Sequence, residues 1–253
     1  MARGDARPGA IAFKTASRPS SRLGHGCDGP PYVHGFDARD SPGARIIGID
    51  RCARSLATAR SSALVAGLTN VEFFETDIYT MPFAAESLDH VFGAFVLEHL
   101  ARPLDALIAV KHVLRPGGTI TLFEGDHGSV LMYPPSEATS RVIACQVELQ
   151  RRAGGDALIG RRLHQLLSTA GFYDVQTWPR PMYVDGSRPG LRARVAWSFI
   201  SMIEGVRDQA IDASLIDRES FDEGVDGLRR AIVEATGTFC YTFFKAVGLT
   251  SSS

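Results

Sequence analysis

The chain lacks three features that would each indicate a particular class of protein. Its four cysteines are scattered and form no C-x-x-C pair, which indicates a reducing, cytoplasmic setting. No apolar run is long enough for a transmembrane helix, and no signal-peptide core is present. The 27 Lys and Arg nearly balance the 28 Asp and Glu, so no strong field favours nucleic acid or an anionic membrane. We therefore expect a cytoplasmic protein that acts on small molecules, with no membrane span and no nucleic-acid partner.

What the chain does contain is enough apolar sequence for one sizeable core. Its 253 residues are 45% apolar, which suits a single α/β domain with an appended helical segment. Residues 1–40 differ from the rest because they are rich in Arg, Gly, Pro and Ser. We expect this segment to be irregular, with strand character only at residues 10–13.

From residue 45 onward, short β-branched or aromatic runs alternate with helical patterns. The predicted strands lie at residues 45–50, 71–77, 88–95 and 119–124. Such alternation predicts a parallel, doubly wound sheet with right-handed crossovers. Beyond residue 124 the pattern becomes mainly helical, and the β-rich run at residues 238–246 predicts a late antiparallel strand.

Short motifs follow these strands in a fixed order. They are Ile46 to Asp50, Thr76-Asp77-Ile78, Leu97-Glu98-His99 and Leu114-Arg115-Pro116-Gly117-Gly118. Ligands of open α/β sheets bind beyond the carboxyl ends of the strands. An acidic side chain there can accept hydrogen bonds from both hydroxyls of a ribose, which is the role we expect of Asp50. The alternative is that Asp50 caps the helix that follows it.

This order of motifs resembles the class I S-adenosylmethionine-dependent methyltransferases, and in particular the branch that includes the ubiquinone and menaquinone C-methylating enzymes. The resemblance implies a Rossmann-like sheet with an antiparallel C-terminal strand and an inserted helical region. It also implies direct in-line transfer of a methyl group from S-adenosylmethionine to a small-molecule acceptor. On this basis the domain spans residues 41–246, with residues 128–235 contributing substrate-side helices and residues 247–253 forming a tail. A homodimer is compatible with this organisation.

The resemblance also implies a set of cofactor-binding residues. Asp77 would accept a hydrogen bond from the adenine amine, and Ile78 would cover a face of the ring. Arg51 and Glu98 complete this set with Asp50. The alternative for Asp77 is a turn aspartate that bonds to its own backbone.

Three residues are candidates for acting on the substrate. His99 could be a general base because its ordinary pKa lies near neutrality, or it could only shape the pocket. Asp126 and His127 follow the predicted strand that ends at Glu124, and they could instead satisfy local backbone and an arginine. Successive side chains point in different directions, so we expect no metal site here.

A recognisable glycine-rich cofactor loop is missing ahead of Asp50. Gly24, Gly26 and Gly29 fit the bare G-x-G-x-x-G spacing and are our candidates, but no strand pattern precedes them and Pro30-Pro31 suits a helix poorly. We hypothesise that residues 1–40 arise from a shifted reading frame or a misplaced start. The alternatives for function are an inactive or binding-only homologue and, less favoured, an NAD-dependent oxidoreductase, since an acidic strand end also binds the NAD ribose.

Overall fold

In the computed structural model of the chain, residues 9–13 and 45–251 are described. They contain seven strands: β1 (Gly9–Phe13), β2 (Arg45–Asp50), β3 (Val71–Glu75), β4 (Leu88–Ala94), β5 (Leu114–Tyr133), β6 (Tyr173–Val184) and β7 (Thr238–Leu249). One sheet holds all seven in the order β3-β2-β1-β4-β5-β7-β6. The pairs β1–β2, β1–β4, β2–β3 and β4–β5 are parallel, and the C-terminal strand is antiparallel. The predicted Rossmann-like α/β sheet with an antiparallel last strand is confirmed.

The helices follow the strands in the expected alternation. They are α1 (Ala53–Val65), α2 (Pro103–Val113), α3 (Glu137–Arg152), α4 (Leu163–Thr169), α5 (Pro189–Val195), α6 (Ser201–Glu204), α7 (Arg207–Asp212) and α8 (Arg218–Val233). A π-helical segment, Ala196–Ile200, joins α5 to α6. Two 3-10 turns, Ile78–Thr80 and Leu97–His99, follow β3 and β4. Within the described ranges, no helix is long and apolar enough to cross a membrane.

The strand β1 lies inside the sheet, in the segment that we expected to be irregular apart from residues 10–13. All five of its residues pair in parallel register with β2, and four of them pair with β4. The strand character expected at residues 10–13 is therefore present, whereas the place of this strand between β2 and β4 was not predicted, because so short an apolar run carries little periodicity. The other residues of that segment, including Gly24, Gly26 and Gly29, lie outside the described residues.

The strand β2 is buried on both faces, as a parallel strand covered by helices should be. Ile46, Ile47 and Ile49 are all at most 5% exposed. Gly48 lets the Phe73 ring pack against the strand, because a Cβ atom at Gly48 would lie 2.6 Å from Phe73 Cδ1. The strand therefore delivers its last residue, Asp50, from a rigid and well-packed base.

The strand β5 is much longer than the predicted residues 119–124. It begins at Leu114, includes the proline and glycine positions, and continues to Tyr133, with Gly117 at φ 70°. Asp126 and His127 therefore lie within a strand, and not in a loop that follows one. The glycines that read as loop residues serve packing instead: a Cβ atom at Gly125 would lie 2.1 Å from Tyr241 Oη.

The expected tail from residue 247 also differs from the structure. The last strand, β7, continues to Leu249. Beyond it, the Thr250 N–H donates to Gly118 O at 2.9 Å, and the Thr250 hydroxyl donates to Arg115 O at 2.6 Å. Residues 247–250 are therefore held by the proline-glycine turn.

The chain divides into two compact units. The first comprises residues 1–124, 162–178 and 245–253, and the second comprises residues 125–161 and 179–244. The second unit has its own apolar core, which includes fully buried Ile203, Phe221, Leu228 and Phe239. The helix α4 belongs to the first unit, although it lies within the interval 128–235 that we assigned to the substrate side.

Candidate functional site

Three acidic residues of the first unit lie at or just beyond the carboxyl ends of parallel strands of the sheet. Asp50 ends β2, Asp77 lies two residues beyond β3, and Glu98 lies four residues beyond β4. Because these strands are parallel, their carboxyl ends share one edge of the sheet. The Thr76 N–H donates to Asp50 O at 3.1 Å, which ties the first two strand ends together. We call this set of strand ends the ligand-binding edge.

Asp50 is largely buried at this edge. Its side chain is 9% exposed in total, and its Oδ1 accepts the Cys52 N–H at 2.7 Å. Cys52 is the N-cap residue of α1, so Asp50 orders the start of that helix. The donor is the N-cap residue and not an N–H group within the helix, so this bond is not a helix cap. It fixes the carboxylate at the strand end where a ribose would be bound.

Asp77 caps the turn that follows β3. Its Oδ1 accepts the Tyr79 N–H at 3.0 Å, and its Oδ2 lies 3.6 Å from Arg51 Nη1. The side chain remains 35% exposed, so a ligand can reach it. Arg51 therefore joins the ends of β2 and β3, and its contact with the cofactor stays a prediction. The ring of Tyr79, two residues beyond Asp77, lies 4.7 Å from the Arg102 guanidinium carbon.

Ile78 begins the 3-10 turn that follows β3 and is 8% exposed. Its side chain lies among apolar residues of the first unit that include Val91 and Leu107. Its contact with an adenine face stays a prediction.

Glu98 and His99 form a pair in the 3-10 turn after β4. Glu98 Oε1 lies 3.4 Å from His99 Nε2, and the two side chains are 10% and 33% exposed respectively. A shielded carboxylate thus lies beside a more accessible imidazole. In this arrangement the carboxylate can orient the imidazole ring.

Glu124 is a further acid of the first unit and ends the strand that was predicted at residues 119–124. It is fully buried, and its Oε1 accepts the N–H groups of Val96 and Leu97 at 3.0 and 2.9 Å. Burial and then the negative charge of Glu98 raise the pKa of Glu124 to about 8.

Asp126 and His127 belong to the second unit, and both are buried there. Asp126 makes two 2.7 Å bonds with Arg161 and accepts the Gly128 N–H at 3.0 Å. The His127 ring packs 5.4 Å from the ring of Tyr241. This arrangement matches the alternative in which these residues satisfy local backbone and an arginine.

The residues at the ligand-binding edge fit an adenosine cofactor. Asp50 and Asp77 present carboxylate oxygens at adjacent strand ends, and the donors of a ribose and of an adenine amine need such acceptors. In the part of the chain that the structure describes, no three His, Cys, Asp or Glu side chains are grouped as metal ligands would be.

Comparison with known families gives an independent assignment. Residues 27–122 match the family model described as a methyltransferase domain. The matched segment contains the ends of β2, β3 and β4, and therefore Asp50, Asp77 and Glu98.

Two curated relatives match part of the chain. A protein of unestablished function from transposon TN4556 of Streptomyces fradiae is 33% identical over 168 residues, covering 66% of this chain and 45% of that protein. A ubiquinone biosynthesis O-methyltransferase of Roseobacter denitrificans is 37% identical over 76 residues, covering 30% of each chain. The chain thus spans less than half of the length of either relative.

Solved structures share the fold at low sequence identity. A provisionally assigned methyltransferase from Bacillus halodurans aligns with a TM-score of 0.57 at 15% identity, covering 98% of this chain and 94% of that one. A phosphoethanolamine N-methyltransferase of Haemonchus contortus, solved with S-adenosylhomocysteine, aligns with a TM-score of 0.50 at 18% identity over 96% of this chain and 49% of that one. The fold, the order of the motifs and the family match over residues 27–122 together support a class I S-adenosylmethionine-dependent methyltransferase domain.

Proposed function

We propose that this chain transfers a methyl group from S-adenosylmethionine to a small-molecule acceptor. The observation that carries the proposal is the common edge shared by Asp50, Asp77 and the Glu98–His99 pair, inside the segment that matches the methyltransferase model. The O-methyltransferase named among the relatives supports a small acceptor. Fold alone would not, because one fold hosts many reactions.

In the proposed complex, Asp50 holds the ribose hydroxyls and Asp77 accepts a hydrogen bond from the adenine amine. Both roles need carboxylates that are fixed before the ligand arrives, and the bonds to Cys52 N–H and Tyr79 N–H fix them. When bound, the cofactor supplies an electrophilic methyl group that moves in one in-line displacement. The protein's part is then positioning and exclusion of water, and no covalent enzyme intermediate is needed.

The acceptor would meet the Glu98–His99 pair. An acceptor that must lose a proton, such as a hydroxyl group, needs a base beside it, and His99 is the accessible member of the pair. Glu98 orients the imidazole. His99 is accordingly a candidate catalytic residue, and Glu98, which also belongs to the predicted cofactor-binding set, is a positioning residue for it.

Calorimetric titration with S-adenosylmethionine tests the proposal, with NAD as the competing ligand. Asp50→Ala should weaken binding by about 10- to 100-fold, because hydrogen bonds to a charged group contribute ~1.5–3 kcal/mol. His99→Gln should bind the cofactor as tightly as the wild type does, since His99 acts on the acceptor.

The matched control is Glu72→Gln, which removes a carboxylate from β3 that is paired with Arg45 on the surface. It should leave binding unchanged. A cooperatively folded protein that binds no S-adenosylmethionine would contradict the proposal and favour the inactive homologue. Tighter binding of NAD would favour the oxidoreductase.

A further inference from the structure

The 3-10 turn after β4 begins in a costly backbone conformation. Phe95 has φ 55°, a left-handed conformation that bulky residues rarely adopt. Such conformations persist only where surrounding contacts enforce them, and they are frequent at functional sites. The Phe95 N–H donates to Phe123 O at 2.9 Å, and the two rings pack edge to face at 5.7 Å. The segment that carries Glu98 and His99 therefore depends on contacts with β5.

Glu124 supplies the next contacts along the same turn. Its Oε1 accepts the N–H groups of Val96 and Leu97, the two residues that follow Phe95. Its Oε2 is buried and has no hydrogen-bond partner among the described residues. One carboxyl oxygen thus holds two consecutive backbone groups, while the other is shielded from water.

We propose that Glu124 is a positioning residue that locks the Phe95–Glu98 turn and thereby sets where Glu98 and His99 lie at the ligand-binding edge. The consequence for ligands rests on the proposed function, whereas the lock itself does not. We call the two hydrogen bonds from Val96 and Leu97 to Glu124 Oε1 the lock. These bonds need an acceptor at Oε1 but no negative charge. A proton on Oε2 leaves both backbone bonds intact and removes repulsion from the Glu98 carboxylate.

The protonation state of Glu124 makes the lock sensitive to pH. Its pKa of about 8 is raised by burial and by Glu98, the acidic group on the turn that it holds. The ordinary value is 4.5, so the folded state binds the extra proton between about pH 4.5 and pH 8. Its contribution to stability is full below that window, declines through it, and is lost above pH 8. The turn should therefore loosen as the pH rises through 8.

Two variants of Glu124 separate the effect of its hydrogen-bond acceptor from the effect of its negative charge. Glu124→Gln keeps an amide oxygen for the two N–H groups and cannot ionise, whereas Glu124→Leu removes the acceptor with little change in volume. Amide hydrogen exchange at Val96 and Leu97, measured by NMR at pH 6.5 and pH 9 and corrected for intrinsic rates, reports the lock directly. Val91 in β4 serves as the internal control for global opening.

Between the two pH values, we expect wild-type protection at Val96 and Leu97 to fall about tenfold more than protection at Val91. This factor corresponds to a loss of about 1.4 kcal/mol in the free energy of local opening. Glu124→Gln should keep the protection at both pH values, and Glu124→Leu should lose it at both. Equal protection in the wild type and Glu124→Leu, or a wild-type pH response in Glu124→Gln, would overturn the proposal.

Binding of S-adenosylhomocysteine then tests the consequence for ligands. Glu124→Leu should bind it about tenfold more weakly than the wild type, and Glu124→Gln should restore the affinity to within about threefold. If the wild type binds no S-adenosylhomocysteine, the proposed function fails while the exchange experiment still decides the lock. If Glu124→Leu loses protection but binds normally, the lock has no role at the ligand-binding edge, and that part is overturned.

Discussion

Glu124 and Asp126 are two residues apart in β5, and both carboxyl groups are buried, yet different partners stabilise them. Backbone N–H groups hold Glu124, whose pKa is raised, while Arg161 holds Asp126 with two short bonds. A buried carboxyl group without a cation beside it tends to keep its proton, as the raised pKa of Glu124 indicates. The partner therefore decides what chemistry each acid can perform.

The Asp126–Arg161 pair gives an asymmetric prediction. The Asp126 side chain is 3% exposed and the Arg161 side chain is 49% exposed. Arg161→Met keeps the apolar stem but leaves a buried carboxylate with the Gly128 N–H as its remaining described donor, and should cost ~2–4 kcal/mol. Asp126→Asn leaves a cation that water can reach, and should cost ~1–2 kcal/mol.

Urea unfolding of the two variants, compared at equal slope, measures this difference. The larger loss should belong to Arg161→Met. A larger loss in Asp126→Asn would mean that the aspartate does more than pair with Arg161, and would return it to the list of candidate functional residues.

At the scale of elements, two helices of the second unit approach each other at glycines. The helix α8 presents Gly224 to α3, where an added Cβ atom would lie 2.5 Å from Val142 Cγ1 and 2.6 Å from Ala138 O. The hydroxyl of Thr139 in α3 also donates to Gly224 O at 2.8 Å. The packing of these helices therefore depends on the missing side chain.

Gly224→Ala should destabilise the protein by ~1–2 kcal/mol. Overpacking costs ~1–3 kcal/mol, and the better helix propensity of alanine offsets up to ~1 kcal/mol of it. The matched control is Gly190→Ala in α5, where no atom lies within 4 Å of the added Cβ. Thermal unfolding should show a lower midpoint for the first variant and an unchanged or higher one for the second. Equal midpoints would contradict a close α3–α8 contact.

Some strands of the fold could be predicted from the sequence, and others could be predicted only in part. The strands β2, β3 and β4 were predicted because each is a short apolar or aromatic run followed by a helix or turn. Strand character was expected at residues 10–13, but a run of five residues inside Gly- and Pro-rich sequence has too little periodicity to show that β1 lies inside the sheet. β5 was predicted too short because it continues through Gly125, which makes room for the Tyr241 hydroxyl.

The residues of the candidate site could also be predicted in part from the sequence. Asp50, Asp77 and Glu98 were predictable because strand ends place acids at one edge. The reach of Glu124 to Val96 and Leu97 was not, because it depends on backbone conformation and on a contact between distant segments. Sequence patterns thus located the edge, whereas the structure determined which side chains occupy it.

For the whole molecule, the central claim is that the carboxyl ends of β2, β3 and β4 bind S-adenosylmethionine. Hydrogen exchange with and without saturating S-adenosylmethionine, followed by mass spectrometry of peptides, tests this claim most directly. Bound ligand should increase protection at residues 50–53, 77–80 and 96–99, while α3 and α8 of the second unit should change little, because ligand contact and ordering slow local opening. A folded protein that shows no change, or protection confined to the second unit, would contradict the account.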